Sequence, residues 1–246
     1  AEKWGIDREA MEQYALESHR RALQAIAGGR FAAEILPYQQ MTTDEGPRAD
    51  TTPEKMAALP SLTPGGRLSA AVASQISDGA SGMLIASAEA VRRHDLAPRA
   101  RIHHLTVLGA DPVMMLAAPI PATERALERT GMRIDDFDVF EVNEAFAPVP
   151  LAWLAETGAD EKALNPLGGA IALGHPLGAS GARLMTTLLY ELERTGGRFM
   201  GRHVGTHLGG VGAQVRKNRL RAWRQQYRLI HRLPPWPRSR PLGRVN

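Results

Sequence analysis

The segment GGAIALGHPLGASGAR, residues 168–183, sets His175 among five glycines. An imidazole serves as a general base, or donates to a developing oxyanion, only where other groups hold its ring in place. Glycines allow backbone to approach a ligand or another chain segment closely. Pro176 fixes the chain just past the histidine. The segment lacks the GxGxxG pattern and a lysine at P-loop spacing, so it does not read as a phosphate cradle. Ala179–Gly181 then enter a helix whose free N–H groups favour negative charge. A structural histidine at a helix entrance is the plainer account of a lone His-Pro; glycines on both sides favour function here. The second candidate is EVNEAFA, residues 141–147. Asn143 stands directly after an apolar run, where an amide can fix a water or donate to an oxyanion. An asparagine that merely caps a following helix is the commoner occurrence.

Both candidates must be placed by the elements around them. Asp7–Ala27 reads as a helix, with Asp7 as N-cap, a stripe through Met11, Tyr14, Ala15 and Leu16, and Gly28-Gly29 as its stop. Residues 37–66 are rich in Pro, Thr and Gly and read as a long surface excursion with one short helix near Pro53–Leu59. Loops of that length are often functional. ASGMLIAS, residues 80–87, predicts a buried strand, followed by a short helix over Glu89–His94. Ile102–Gly109 is a second strand and Pro121–Thr130 a helix with proline in its first turn. DVFEV, residues 138–142, is a third strand leading straight into a helix over about 144–156. Ala179–Arg194 is the last clear helix, and a further strand opens at Arg198. Strands alternating with helices predict βαβ units and a mostly parallel sheet covered by helices. Ligands bind at the carboxyl ends of such strands, where Asn143 and Glu144 stand.

The composition sets bounds. At 246 residues the chain can bury a sizeable core, as one large domain or two small ones. It has no cysteine, which excludes disulfides, thiolate zinc sites and any thiolate nucleophile from this chain. No apolar run is long enough for a membrane span, the first residues do not resemble a secretory signal, and a cytoplasmic location is the expectation. Residues 1–193 hold all 26 acidic and 17 of the 30 basic residues, a net charge of −9. The remaining residues hold 13 basic residues and no acid.

NEAFA and NPLGGAIALGHPLGASGAR, with DPVMMLAAPIPAT (111–123) and ASQISDGASGMLI (73–85), resemble the thiolase family. These enzymes make or break the carbon–carbon bond of 3-ketoacyl-CoA thioesters in fatty acid metabolism. The resemblance runs from residue 1 to about residue 199. It implies an α/β fold of five αβαβα layers, here incomplete. Residues 1–77 would be part of a loop domain that binds coenzyme A. Residues 78–98 would be the last strand and helix of the N-terminal half, residues 99–215 the C-terminal domain, and residues 216–246 a basic tail foreign to the family. It further implies that His175 activates the nucleophile and helps form an oxyanion hole, and that Asn143 holds the water completing it. Ser74, Met115, Ala145 and Phe146 would line the pantetheine arm. Coenzyme A or acyl-CoA is then substrate rather than a resident cofactor, and no metal is implied. The expected partners are acyl-CoA and either further copies of the chain or one supplying the N-terminal half.

The sequence departs from the family in three places. Val72 stands where an asparagine is usual. The nucleophilic cysteine belongs to the part of the first half that this chain does not match. After Phe199 the family continues to a cysteine-glycine motif, and Leu208 is the nearest match to the cysteine that acts as base. Loss of a general base typically costs 10²–10⁴-fold in rate, so the chain alone is expected to be inactive. A non-catalytic acyl-CoA binder, or a partner subunit of a thiolase-like complex, is the alternative. The arginines interleaved with Trp223, Tyr227 and Trp236 would suit nucleic acid. The acidic body argues against that partner, and a shifted reading frame in a GC-rich gene accounts better for the basic end.

Overall fold

The computed structural model describes residues 1–204 and 208–215; of Met115, His203, Val204 and residues 208–215 only the backbone is described. The tail from residue 216, including Trp223, Tyr227 and Trp236, lies outside the described residues, as does the side chain of Leu208.

The first helix, α1 (Arg8–Ala27), starts where Asp7 accepts a hydrogen bond from the Ala10 N–H at 2.8 Å, and Gly28 closes it. It buries Met11, Tyr14, Ala15, Ser18, Ala22 and Ala25, a three-and-four spacing that keeps one face inward. The long excursion that follows contains α2 (Pro53–Ala57), capped by Thr52. Met11, Tyr14 and Ala15 of α1 pack with Met56, Val72, Ala147 and Ile171 in one cluster, so distant chain segments meet beside α1.

Beyond α3 (Ala88–Arg93) the chain forms β1 (Ala100–Leu105), α4 (Pro119–Thr130), β2 (Val139–Val142), α5 (Pro148–Thr157), α6 (Ala170–Leu173), α7 (Ser180–Thr195), β3 (Phe199–Val204) and β4 (Leu208–Val215). The four strands make one sheet in the order β1-β4-β3-β2. Strand β2 shows how it is covered. Val139 packs with Leu188 and Leu192 of α7 and with Met200. Phe140 and Val142 point the other way, onto Ile120 of α4 and Ala152 and Trp153 of α5. That alternation is the two-residue period of a strand, and it sandwiches the sheet between helices. Trp153 is fully buried, and its indole N–H is satisfied by Thr123 Oγ at 2.8 Å.

Three expectations are corrected. The sheet is not mostly parallel: only β2 and β3 run parallel, while β4 pairs antiparallel with both β1 and β3. The glycine-rich LGGVGAQV forms β4 despite its weak strand propensity, and its return between β1 and β3 reverses the pairing. Residues 80–87 do not form a buried strand; the stretch is irregular, with Leu84 82% and Ile85 67% exposed. A strand exists only where neighbours take up its N–H and C=O groups, and no described edge lies beside this one. Helix α5 begins at Pro148, not near Glu144. Pro148 and Pro150 fit a first turn but would break a helix already under way, so Asn143–Ala147 form a turn instead.

Candidate functional site

That turn begins at the end of β2. Asn165, held at a left-handed φ of 44°, clamps the strand end on both sides. Its Oδ1 accepts from the Val142 N–H at 2.8 Å and its Nδ2 donates to the Val142 carbonyl at 2.9 Å. Glu144 then turns inward and is 1% exposed. Its carboxylate accepts from the Tyr14 hydroxyl (2.9 Å), the Ser18 hydroxyl (2.7 Å), Asn165 Nδ2 (3.0 Å) and the Ile171 N–H (3.1 Å). Four donors make the buried charge tolerable. They also fasten α1, the end of β2 and the start of α6 to one another. The Tyr14 phenol is pushed well above its ordinary range by burial, with the neighbouring Glu144 charge adding to it.

Asn143 and His175, the two predicted catalytic residues, are brought together. Their side chains approach at 3.4 Å between Asn143 Nδ2 and His175 Nε2, and the residues are 3% and 8% exposed. Asn143 Oδ1 is buried without a hydrogen-bond partner in the described chain, so it has capacity for one further donor. Three contacts hold His175. Gly174, at φ 85°, makes the turn out of α6. The His175 N–H donates to the Gln75 carbonyl at 3.0 Å. The other ring nitrogen, Nδ1, lies 2.6 Å from Ser180 Oγ. Burial lowers the imidazole pKa from its ordinary value, and the Arg183 charge adds to the effect. Both favour the neutral ring, the form that can accept a proton.

Ser74, Ala145 and Phe146 also meet. The Ser74 N–H donates to the Ala145 carbonyl at 3.0 Å, and Ala73 and Phe146 form an isolated antiparallel bridge. The Ala147 N–H donates to the carbonyl of Val72. The next residue, Gln75, links this ladder to His175 through its carbonyl. Its amide nitrogen reaches the carbonyls of Gly46 and Ile171, each at 2.9 Å. Five of the six expected site residues, Ser74, Asn143, Ala145, Phe146 and His175, thus converge from three segments, residues 72–77, 143–147 and 169–180. Met115 sits in a 3₁₀ turn ahead of α4, and that turn lies against α5; its side chain lies outside the described residues.

The sequence does not single out Asn165, Gln75 and Ser180, and it places Glu144 at the strand end without assigning it a role. An acidic residue inside a run otherwise destined for burial was a usable signal for Glu144. A hydroxyl five residues after the histidine, at the first turn of a helix, was one for Ser180. Gln75 and Asn165 act through segments far away in sequence, so spacing alone does not reveal them. Among the described residues no group of three or more His, Asp or Glu side chains could hold a metal ion, and no helix is long and apolar enough to cross a membrane.

The chain belongs to the thiolase family: residues 1–89 match the thiolase N-terminal domain and residues 96–215 the C-terminal domain. The second match reaches past residue 199, where the resemblance was expected to fade, because it includes β4. A steroid 3-ketoacyl-CoA thiolase of Mycobacterium tuberculosis (strain ATCC 25618 / H37Rv) is 59% identical over 203 residues, covering 81% of this chain and 50% of that protein. A β-ketoadipyl-CoA thiolase of Acinetobacter baylyi is 46% identical over 211 residues, covering 81% and 53%. Human mitochondrial 3-ketoacyl-CoA thiolase, solved in complex with CoA, superposes with a TM-score of 0.81 at 38% identity, covering 87% of this chain and 56% of that one. The chain spans about half the length of the curated relatives it matches.

Proposed function

We propose that this chain supplies the histidine and amide side of a thiolase acyl-transfer site. Its substrate is acetyl-CoA or a 3-ketoacyl-CoA, in thiolytic cleavage or the reverse Claisen condensation. The observation that carries the reading is the buried Asn143–His175 pair, 3.4 Å apart. When a thiol attacks a thioester, its proton must leave and the carbonyl oxygen gains charge. A neutral imidazole takes that proton at Nε2 and then presents an N–H at the same place. Asn143 holds the water that supplies the second donor to the oxyanion. The ladder of Ser74 with Ala145 and Phe146 gives the pantetheine arm a backbone-lined wall, and Met115 is assigned to the same arm. Coenzyme A is substrate only, and such a thioester fits a cytoplasmic setting.

The chain contains no cysteine, so it has neither the acyl-accepting thiolate nor the second base, and without a covalent nucleophile the ping-pong route is closed. The isolated chain is therefore inactive. A second reading, a non-catalytic acyl-CoA binder or partner subunit, is favoured by the exposed Ile76, Leu84 and Ile85, an apolar stretch suited to burial against further copies or a chain carrying the N-terminal half.

The test is thiolysis of acetoacetyl-CoA by CoA, with the full chain alone and with a cysteine-bearing N-terminal half of a relative. Alone, no rate above background is expected. In the mixture a rate appears, and His175→Ala lowers it about 10²–10⁴-fold. A rate for the chain alone within about 10²-fold of an ordinary family member overturns the inactivity. A mixture rate indifferent to His175→Ala overturns the site. No rate in the mixture, but calorimetric binding of CoA to the chain, favours the second reading. No rate and no binding leaves neither standing.

A further inference from the structure

Ser180 is the first residue of α7 and is fully buried. Its hydroxyl has two neighbours: the Pro176 carbonyl at 3.0 Å and His175 Nδ1 at 2.6 Å. A hydroxyl carries one proton. Near a helix start, a serine commonly spends that proton on the carbonyl four residues back, which here is Pro176. The oxygen then faces Nδ1 with a lone pair, and a lone pair is satisfied only by an Nδ1–H. A neutral imidazole has one N–H, so Nε2 is left with a lone pair. The opposite contact agrees independently: Nε2 faces Asn143 Nδ2, an amide donor, at 3.4 Å. Both ends of the ring therefore select the same tautomer.

We infer that Ser180 is a positioning residue that fixes His175 in the Nδ1–H tautomer, leaving Nε2 as the proton-accepting atom toward Asn143. The inference rests on the reading of His175 as the acyl-transfer base. Its use there is specific: only an imidazole already protonated at Nδ1 can accept a thiol proton at Nε2, as the S–H bond breaks and the N–H bond forms. The imidazolium keeps its contact with Ser180 throughout, so neither partner has to rotate. The other tautomer would present Nε2–H to the thiol and could accept nothing.

The tautomer is read directly in the full chain labelled with ¹⁵N-histidine, at a pH where His175 is neutral. Two-bond proton–nitrogen correlations distinguish Nδ1–H from Nε2–H, and the His175 signals are those lost in His175→Gln. In the unsubstituted chain the Nδ1–H pattern is expected. Ser180→Ala should lose it, giving a mixed or Nε2–H pattern, while Ser180→Thr should keep it. A purely structural serine would leave the pattern untouched in a folded Ala variant. An Nε2–H pattern in the unsubstituted chain, or an unchanged one in Ser180→Ala, overturns the inference. If the Ala variant does not fold, the unsubstituted spectrum still decides. Because no substrate is present, this outcome is independent of whether His175 proves to serve acyl transfer.

Discussion

The carboxylate of Glu144 accepts the backbone N–H of Ile171 at 3.1 Å, which joins the chain neighbour of Asn143 to a residue four positions before His175. The distance between the two site residues is thereby set from behind, by a group that touches neither side chain. Glu144→Ala would leave the donors of Tyr14, Ser18 and Ile171 buried without this acceptor, while Asn165 Nδ2 keeps the Val142 carbonyl. Each such orphan costs about 1–3 kcal/mol, so a loss of about 3 kcal/mol or more in urea unfolding is expected. Glu144→Gln keeps one acceptor oxygen but turns an NH₂ toward donors, and should recover only part of that loss. An Ala variant within about 0.5 kcal/mol of the parent would contradict the network.

Gly169 tests the same region through space rather than charge. A Cβ there would collide with the carboxylate of Glu144, although the backbone, at φ −140°, accepts any residue. Gly131 is the opposite case, with φ 67° and nothing within 4 Å of an added Cβ. Gly131→Ala should cost only the left-handed backbone penalty, about 1–2 kcal/mol. Gly169→Ala should cost about 1–3 kcal/mol of overpacking and, unlike Gly131→Ala, should also shift the His175 resonances, since the displaced carboxylate releases Ile171. Unmoved His175 signals in Gly169→Ala would separate the network from the site.

How much of this was legible in the sequence depended on whether the cause was local. Asp7, Gly28 and Gly131 mark helix ends because a cap needs only its own few neighbours. The pairing of Asn143 with His175 was readable as two motifs, each carrying its own turn chemistry. Residues 80–87 differ from the expected strand because a short apolar run, Met83–Ile85, is compatible with a strand but supplies no partner edge. The antiparallel β4 was missed for the converse reason: LGGVGAQV has weak strand propensity and is held by β1 and β3 on either side. Glu144 lay in plain view beside Asn143, yet its partners come from residues 14, 18, 165 and 171. No sequence period connects those.

A pH dependence follows from Glu34. Burial raises its carboxyl to about 7, against the lowering effects of the Thr187 hydroxyl and the Arg183 charge. Thr187 Oγ donates to Oε1 at 2.9 Å, and Oε2 is buried without a partner among the described residues. A carboxyl raised in the folded state holds its proton there after the unfolded chain has lost it. Between about pH 4.5 and 7 the folded state therefore binds more protons, and stability falls as pH rises. At about 1.4 kcal/mol per pKa unit, up to roughly 3 kcal/mol is lost by pH 8. Glu34→Gln removes that ionisation, so its stability relative to the parent should rise across this window. Denaturant midpoints of both proteins at pH 5 and pH 8 measure the difference. A stability of the variant relative to the parent that stays constant, or falls at the higher pH, contradicts the buried carboxyl.

Ile76 is fully solvent-exposed and Leu84 and Ile85 are largely so, and residues 74–87 have no regular structure. Apolar side chains so placed contribute little to the stability of the chain that bears them. Replacing Leu84 and Ile85 together by serine should change unfolding free energy by no more than about 0.5 kcal/mol each. The same change should sharply reduce self-association and binding of an apolar dye, because an apolar stretch left open is what other surfaces cover. Light scattering against concentration, with the unfolding midpoint as control, separates the two effects. If the double serine variant is strongly destabilised, the segment is packed and its exposure is refuted. If it stays as associated as the parent, some other surface drives association, such as the edge formed by β1, where Ile102 and Leu105 are 42% and 59% exposed.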